Sequence, residues 1–436
     1  MIQFDEFPIT SKNQWIEALK KELKGENPQE KLVKFDEIEE ISYPQFIHHQ
    51  DVQLNTETPG SYPFKRSFKS KNNDWEIVHA IIVKNEKEDN EYLKQLLMNG
   101  VSALHFQFIE ERKYNLTTLF NEIECKYLTL TIECSCLSVW SQIIEFLNTI
   151  ETSAVCLQNK ENHFIPNSII TYREKCIDAY NLKECGANAI QEICFAMCQG
   201  HQYLYEGLKN GKNLNEINSK MYFTFGIGSH FFIEIAKLRA FRMLWSKILH
   251  SYSSQDFTIE NTLIVAKTGF VNKSLSDPHT NLLRQCTEVL SAALGGVDLI
   301  HNQAYDTIST QGSSKFSERL AKNISLLLKE ESNIDKVVDA AGGSYFVEYL
   351  TDEIANKSWK LFQEFDGQEM INSSFLEKVK ETAKKRVEFA QTKKSKFIGI
   401  NQFENSENSK LEWKKEYPTF LGLKRLIIEK ELNGKD

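Results

Sequence analysis

Short runs of β-branched and aromatic residues alternate with longer amphipathic stretches along most of this 436-residue chain, and this alternation restricts its fold more than any other feature. Nearly continuous apolar strands separated by helices are typical of a parallel sheet covered on both faces. About eight such units favour a closed (β/α)₈ TIM barrel. An open doubly wound sheet is the alternative, although no GxGxxG fingerprint follows the first strand and no P-loop is present. The predicted strands cover residues 76–83, 101–108, 127–134, 153–158, 174–180, 262–268, 297–303 and 336–341.

The chain outside the barrel is predicted to form an extended N-terminal arm and a C-terminal tail. The arm contains a short helix, because Ser11 and Gln14 have the spacing of a capping box and Gly25 follows as a stop signal. The tail begins near the polar segment 405–410. Between the fifth and sixth predicted strands the interval is long enough for two helices. The predicted division is therefore an arm (1–57), a barrel (58–403) and a tail (404–436).

Charge and cysteine content exclude several classes of protein. With 52 Lys and Arg against 60 Asp and Glu, the formal net charge is −8, which disfavours binding to nucleic acid. The acidic N-terminus does not resemble a secretory signal, and no run approaches the ~18 apolar residues that cross a bilayer. Nine cysteines, an odd number, indicate reduced thiols. We therefore expect a cytoplasmic protein that binds neither nucleic acid nor a membrane.

Two cysteines and a histidine have a spacing that is compatible with metal binding. Cys194 and Cys198 lie one helical turn apart, and His201 follows. Zinc requires a fourth ligand in a fixed geometry, and the neighbouring sequence does not offer one. The sequence therefore predicts cysteines in a packed core and no metal site.

The ends of the predicted strands hold few residues with acid or base chemistry. His301 and Asp306 are a candidate base and its orienting carboxylate, and Lys267 is a candidate amine nucleophile or carboxylate clamp. For all three residues we favour a structural role, in which a polar side chain at a strand end caps a helix or contacts solvent. Gly226 and Gly228, before a helix, weakly resemble a phosphate-binding turn, and close packing explains them equally well.

Several longer runs carry a specific resemblance. The chain resembles the methylmalonyl-CoA mutase family in order and approximate spacing over ~340 residues. The resemblance implies a TIM barrel preceded by an arm that wraps a partner chain, and the interchange of methylmalonyl-CoA and succinyl-CoA through adenosylcobalamin. The runs that carry it are TPGSYPFKR (58–66), KECGANAIQE (183–192), FGIGSHFFIEIAKLRAFRMLW (225–245), ALGGVDLIHNQAYD (293–306), FSERLAKNISLLLKEES (316–332), VVDAAGGSYFVEYLT (337–351) and IGINQF (398–403).

The cofactor-binding part of the family is not apparent in this sequence. The family holds cobalamin in a C-terminal flavodoxin-like domain whose DxHxxG loop supplies the histidine ligand of cobalt. No DxHxxG motif occurs here, and 33 residues follow Phe403, whereas such a domain needs on the order of 100. We therefore expect no cofactor on this chain and adenosylcobalamin in a large-subunit partner.

Substrate groups of the family also differ here. By resemblance, the family's arginine and tyrosine after the first strand fall on Val78 and Ala80, and the histidine of its Tyr-His pair falls on Asn181. The resemblance thus implies a non-catalytic small subunit of a heterodimeric mutase, without catalytic, cofactor or metal residues of its own. The alternatives are a diverged barrel enzyme that acts on a CoA ester or small acid without cobalamin, and a transient chaperone-like accessory protein.

Overall fold

The computed structural model describes residues 10–434 apart from 45, 53–56, 135, 160–171, 254–261, 368–372 and 405–410. The polar segment at the start of the predicted tail and the first nine residues of the arm lie outside the described residues.

Two sheets are present in the described part of the chain. Strands β1 (Lys34–Asp36) and β2 (Ile41–Tyr43) form an antiparallel pair within the arm. The second sheet is wholly parallel, in the order β7-β6-β5-β4-β3-β11-β10-β9-β8. Its strands are β3 (Glu76–Ile82), β4 (Ala103–Phe108), β5 (Thr129–Cys134), β6 (Ala154–Asn159), β7 (Tyr172–Arg173), β8 (Lys175–Asp178), β9 (Met221–Ile227), β10 (Leu263–Thr268) and β11 (Leu299–His301).

The parallel sheet closes into a barrel through two strands that are almost continuous. Only Glu174 separates β7 from β8. The first of these strands pairs with β6, and the second pairs with β9. Because β7 and β8 together act as one barrel strand, eight strand positions surround a common axis and the predicted TIM barrel is confirmed.

Helices cover the outside of the barrel. Capping boxes begin α1, α7 and α11, and the first of these is the box predicted from Ser11 and Gln14. The helices are α1 (Lys12–Glu22), α2 (Pro28–Leu32), α3 (Glu86–Met98), α4 (Leu116–Leu119), α5 (Leu137–Leu147), α6 (Ala179–Glu184), α7 (Ala189–Lys209), α8 (Leu214–Ser219), α9 (Phe231–Tyr252), α10 (Thr280–Leu294), α11 (Lys315–Leu326), α12 (Tyr345–Phe365), α13 (Ser373–Gln391) and α14 (Ile428–Leu432). None of the helices in the described ranges is long and apolar enough to span a bilayer.

The sixth barrel strand is β9, which the sequence pattern does not predict. Its residues MYFTFGI are all buried. The sequence predicts helices alone in this interval, because the glycines of FTFGIG are typical of a turn. The interval instead contains α7, α8 and β9, so residues 262–268 and 297–303 supply the seventh and eighth strands.

Residues 336–341 do not form the eighth strand, so that prediction was wrong. Ile334–Lys336 is a 3₁₀ helix, and Asn333 before it has a φ of 55° in the left-handed region. Val337 is 57% exposed. Because β11 pairs directly with β3, the barrel closes without this segment and leaves no partner for it.

Candidate functional site

The carboxyl ends of the barrel strands surround a cavity of about 980 Å³. In α/β barrels this end holds the functional groups. Successive side chains of a strand point alternately into and out of the barrel, so the inward-pointing residues form layers across its axis. Two layers of different character bound the cavity.

The lower layer is apolar. Its residues come from six strands and are each at most 7% exposed: Val78, Ala103, Cys156, Tyr222, Val265 and Leu299. Burial raises the pKa of the Cys156 thiol to about 12, which keeps it uncharged at pH 7. We call this layer the floor of the cavity.

Above the floor, two basic side chains of adjacent strands lie side by side. Lys267 of β10 and His301 of β11 are partners in the parallel ladder, and both line the cavity. Burial, together with the positive charge of Lys267, holds the pKa of His301 well below its usual range. The imidazole is therefore neutral at pH 7.

A histidine and a glutamate occupy the opposite side of this layer. His105 Nε2 lies 3.2 Å from Glu133 Oε2, and Gln107 Nε2 donates a hydrogen bond to the same oxygen at 2.9 Å. The rings of His105 and His301 meet edge to face with their centroids 6.1 Å apart. The charge of Glu133 is thus already engaged by neighbours within the cavity wall.

Asp178, at the end of β8, organises the turn into α6. Its carboxylate accepts hydrogen bonds from Asn181 N at 3.2 Å, Asn181 Nδ2 at 2.7 Å and Thr224 Oγ1 at 2.9 Å. Asn181 Oδ1 in turn accepts from the Arg425 guanidinium at 3.2 Å. Asn181 therefore joins a barrel strand end to the C-terminal tail.

That tail lies across the mouth of the barrel and forms a roof over the cavity. Lys414 Nζ donates to the carbonyl of Thr307 at 3.0 Å, and the Tyr417 hydroxyl donates to the carbonyl of Ile308 at 2.8 Å. Tyr417, Phe420 and Arg425 line the cavity from above. The sequence predicts no role for these residues, because contacts between a tail and distant loops leave no periodic signal.

The residues predicted at strand ends are only partly brought together. Lys267 and His301 meet, but Asp306 does not orient His301, so the candidate pairing does not form and the structural role favoured for Asp306 agrees with the structure. The Asp306 carboxylate instead accepts the backbone N–H of Ser314 at 3.3 Å. The loop after β11 directs Asp306 toward the start of α11 and away from the imidazole.

The glycines after β9 pack closely and do not offer their N–H groups to a ligand. Gly226 N donates to Glu192 Oε1 at 2.7 Å, and Gly228 N donates to Glu234 Oε1 at 3.0 Å. A Cβ at Gly226 would come within 2.7 Å of Lys183 Cγ. Of the two explanations for these glycines, the structure therefore supports close packing.

His201 does not join the neighbouring cysteines. Its Nδ1 lies 2.8 Å from Asp366 Oδ1, and its Nε2 lies 2.7 Å from the Tyr252 hydroxyl. The sulfur atoms of Cys194 and Cys198 are 4.0 Å apart. The imidazole is thus held by Tyr252, the last residue of α9, and by Asp366, which follows α12.

Val78 and Ala80 occupy inward positions of β3. Val78 is part of the floor, and Ala80 is the ladder partner of His105. Neither side chain can form a hydrogen bond, so β3 contributes no polar group at these two positions.

Fold and mouth together define an eight-stranded α/β-barrel protein with an apolar floor, a polar cavity and a roof formed by its own tail. A family model described as methylmalonyl-CoA mutase matches residues 113–421. The chain belongs to the methylmalonyl-CoA mutase family.

Curated relatives agree with this assignment. The methylmalonyl-CoA mutase small subunit of Porphyromonas gingivalis is 32% identical over 92% of this chain and 71% of the relative. The large subunit from the same organism is 32% identical over 52% of this chain and 32% of its own length. The human mitochondrial methylmalonyl-CoA mutase is 30% identical over 54% of this chain and 32% of its length. The match therefore spans about a third of the length of these two longer relatives.

Proposed function

We propose that this chain is a non-catalytic subunit of a heterodimeric, cytoplasmic methylmalonyl-CoA mutase. Its partner, a large subunit, binds adenosylcobalamin and interconverts (R)-methylmalonyl-CoA and succinyl-CoA. Two relatives support the pairing, because one organism has both a protein named as small subunit and one named as large subunit. The nine free cysteines support the location, since reduced thiols are typical of the cytoplasm.

The contents of the barrel mouth are the observation that carries the proposal. Where the family resemblance expects an arginine, an aromatic ring and a histidine, this chain has Val78, Ala80 and Asn181. Valine and alanine cannot form the bidentate contacts of a guanidinium or the hydrogen bond of a phenol. Asn181 is already engaged by Asp178 and Arg425. A chain that keeps the barrel but lacks these groups is suited to support a partner.

The mouth also does not fit adenosylcobalamin. A corrin above the barrel needs the space over the strand ends, and here the tail takes that space. Backbone hydrogen bonds anchor the tail on both sides, from Leu426 N to Glu184 O at 2.7 Å and from Ile428 N to Val271 O at 3.0 Å. The roof would have to leave before a corrin could approach Lys267 or His301.

The N-terminal arm offers the proposed docking surface. Helix α1 contributes no buried residue to this chain, although its Trp15 ring lies 4.5 Å from the Phe46 ring. Phe46 is 45% exposed, and Phe35 is 56% exposed. Exposed aromatic residues on an extended arm are typical anchors of a protein interface.

Co-expression with a candidate large subunit tests the proposal. We expect a stable 1:1 complex by size-exclusion chromatography with light scattering, turnover by the complex, and neither turnover nor adenosylcobalamin binding by this chain alone. Turnover or stoichiometric cobalamin binding by the isolated chain would overturn the proposal, as would a complex that dissociates on dilution to micromolar concentration.

Matched variants locate the interface. Trp15→Ala and Phe35→Ala should each weaken binding of the large subunit at least about tenfold, because interface aromatics typically contribute most of the binding energy. Tyr127→Ala is the control, since Tyr127 is 75% exposed on the barrel and not on the arm. Equal loss of affinity in all three variants would contradict docking through the arm.

A further inference from the structure

A second concave surface lies between α13 and the C-terminal tail, and it encloses about 300 Å³. Residues 422–426 of the tail form one wall. Four residues of α13 form the other wall, at the spacing of three and four positions that defines one helical face: Lys380, Ala383, Lys384 and Val387. This face extends over about 10 Å. We call the surface the α13 groove.

The bottom of the α13 groove is apolar. Leu423 and Leu426 of the tail are 4% and 5% exposed. Ala383 and Val387 pack against the same apolar cluster as Leu426, but both remain half-buried. An apolar group that entered the groove would cover these two side chains, which is favourable in proportion to the apolar area removed from water.

The rim of the α13 groove is basic. Lys384 and Lys424 are exposed and make neither a hydrogen bond nor an ion pair with the described part of the chain. Lys380 Nζ lies 3.2 Å from Glu377 Oε2, and both side chains are more than half exposed, so this pair is weak. Among the described residues that line the groove, Glu431 is the one acid. The rim therefore carries a positive charge that its surroundings leave largely uncompensated.

The charge of this region is opposite to that of the whole protein. Residues 376–396 contain eight Lys and Arg against three Glu, whereas the formal net charge of the chain is −8. A local basic surface on an acidic protein attracts acidic groups of a partner to one place and orients their approach.

Helix α13 also contacts the arm. Arg386 donates to Glu39 Oε1 at 2.7 Å, and Lys394 Nζ donates to Glu37 Oε1 at 2.6 Å. Glu37 and Glu39 lie between β1 and β2, in the hairpin of the arm. The arm and the α13 groove thus adjoin the same helix, and one partner could cover both in a continuous interface.

We propose that the α13 groove is a second docking surface for the large subunit, which places an apolar side chain on the groove floor and flanking carboxylates against Lys384 and Lys424. This assignment rests on the proposed function, since the large subunit is the partner proposed there. An acidic protein segment fits better than a nucleic acid, because a phosphate backbone has no apolar group for the floor. Exposed charges mainly steer association and select the partner, so we expect the lysines to act on the association rate.

Binding kinetics of the large subunit on the immobilised full chain test this surface. The double variant Lys384→Glu with Lys424→Glu should lower the association rate at least about tenfold at about 50 mM salt. The reduction should be smaller at about 300 mM salt, where exposed charges are screened. Lys87→Glu with Lys113→Glu is the matched control, because both residues are exposed in the first half of the barrel and the change in net charge is the same. Val387→Thr keeps the volume of the floor but adds a hydroxyl, and it should raise the dissociation rate about threefold.

The outcomes separate this surface from the subunit proposal. Equal association rates in the two double variants overturn docking at the α13 groove and leave the arm as the docking surface. Absence of any complex with the wild-type chain overturns the subunit proposal, and docking at the groove with it. Light scattering of the isolated chain gives a further test: if it self-associates and the Lys384 and Lys424 changes abolish this, the occupant is a second copy and the proposal is wrong. If the charge-reversal variant fails to fold, Lys384→Gln with Lys424→Gln carries the test, with an expected reduction of about threefold.

Discussion

The two halves of the barrel are held together by different interactions. In the first half, β3 to β6 and α3 to α5 enclose an apolar core that includes Phe106, Leu130 and Trp140. In the second half, an apolar core is combined with ion pairs whose side chains are almost fully buried. Lys237 Nζ lies 2.6 Å from Glu192 Oε2 and 2.5 Å from Glu234 Oε2.

A second buried cluster lies nearby on the same helix. Arg239 Nε is 2.9 Å from Asp339 Oδ1, and its guanidinium donates to Glu348 Oε1 at 2.7 Å. Because these contacts join α9 to α12 and to the loop before α12, they fix how the second half of the barrel is covered. Lys273 and Glu288 form a third such pair at 2.6 Å.

The seven runs that carry the family resemblance are distributed unevenly over the two halves. None of the seven resembling runs lies between residues 67 and 182, which include the first half. Buried charges require specific partners, since loss of one leaves the other uncompensated. An apolar core requires only volume and pattern, so many sequences satisfy it. The clusters around Lys237 and Arg239 thus lie within the runs that carry the resemblance, whereas the family model also covers residues 113–182 of the first half.

The largest expected effect comes from removing a central charge. Lys237→Met leaves Glu192 and Glu234 buried beside each other, and we expect a loss of about 3–5 kcal/mol of unfolding free energy. Urea denaturation measures it. The double variant Lys237→Met with Glu192→Gln should lose less than the sum of the single changes. A loss below about 1 kcal/mol for Lys237→Met would remove the proposed difference between the halves.

An intermediate effect concerns Glu184, a buried acid that forms no ion pair with any residue in the described part of the chain. Burial raises the pKa of Glu184 to about 7, against the opposing effect of Arg425. The folded wild type then loses stability as the pH rises from the ordinary glutamate pKa, about 4.5, to about 7. Glu184→Gln removes this titration, so its stability relative to wild type should be higher at pH 8 than at pH 5 by about 2–4 kcal/mol.

The measurement is urea denaturation of both proteins at the two pH values. Glu377→Gln is the control, because Glu377 is exposed on α13. If Glu184→Gln shows no larger difference than the control, the pKa of Glu184 is not raised in the folded protein, and a difference of opposite sign would mean that this pKa is lowered.

The smallest effect is expected in the apolar half. Ile132 is 1% exposed in β5, and Ile132→Leu conserves its volume. We expect a loss of less than about 1.5 kcal/mol, because neighbouring apolar side chains can repack. Thermal or urea unfolding measures this change. A loss as large as that of Lys237→Met would mean that the first half is as specific as the second.

Seven of the eight barrel strand positions were predictable from apolar runs bounded by turn residues. The strand β9 was not predictable, because two glycines two positions apart, Gly226 and Gly228, are typical of a turn when only the local sequence is considered. In the structure Glu192 and Lys183 pack against Gly226, and the absence of a side chain is what permits this. The prediction of a strand at 336–341 was wrong for the opposite reason. Its β-branched residues are typical of a strand, but β11 pairs directly with β3 and leaves no place for another strand between them.

The candidate site was predicted in part. Alternation along β10 and β11 made Lys267 and His301 recognisable as strand ends, and the structure placed them together. Pairing of His301 with Asp306 depended on a loop direction that local pattern does not encode. The contact between Arg425 and Asn181 joins residues 244 positions apart, beyond the reach of any local signal.

The sequence by itself determined the alternation of strands and helices, the family and the absence of polar groups at positions 78 and 80, because these depend on residue identity and short-range periodicity. Only the tertiary structure decided that the tail covers the mouth, that β7 and β8 together close the barrel, and that Lys237 has Glu192 as its buried counter-charge. Each of these depends on which distant groups meet across the barrel. Neutralisation of a charge is a property of three-dimensional distance, and spacing along the chain does not specify it.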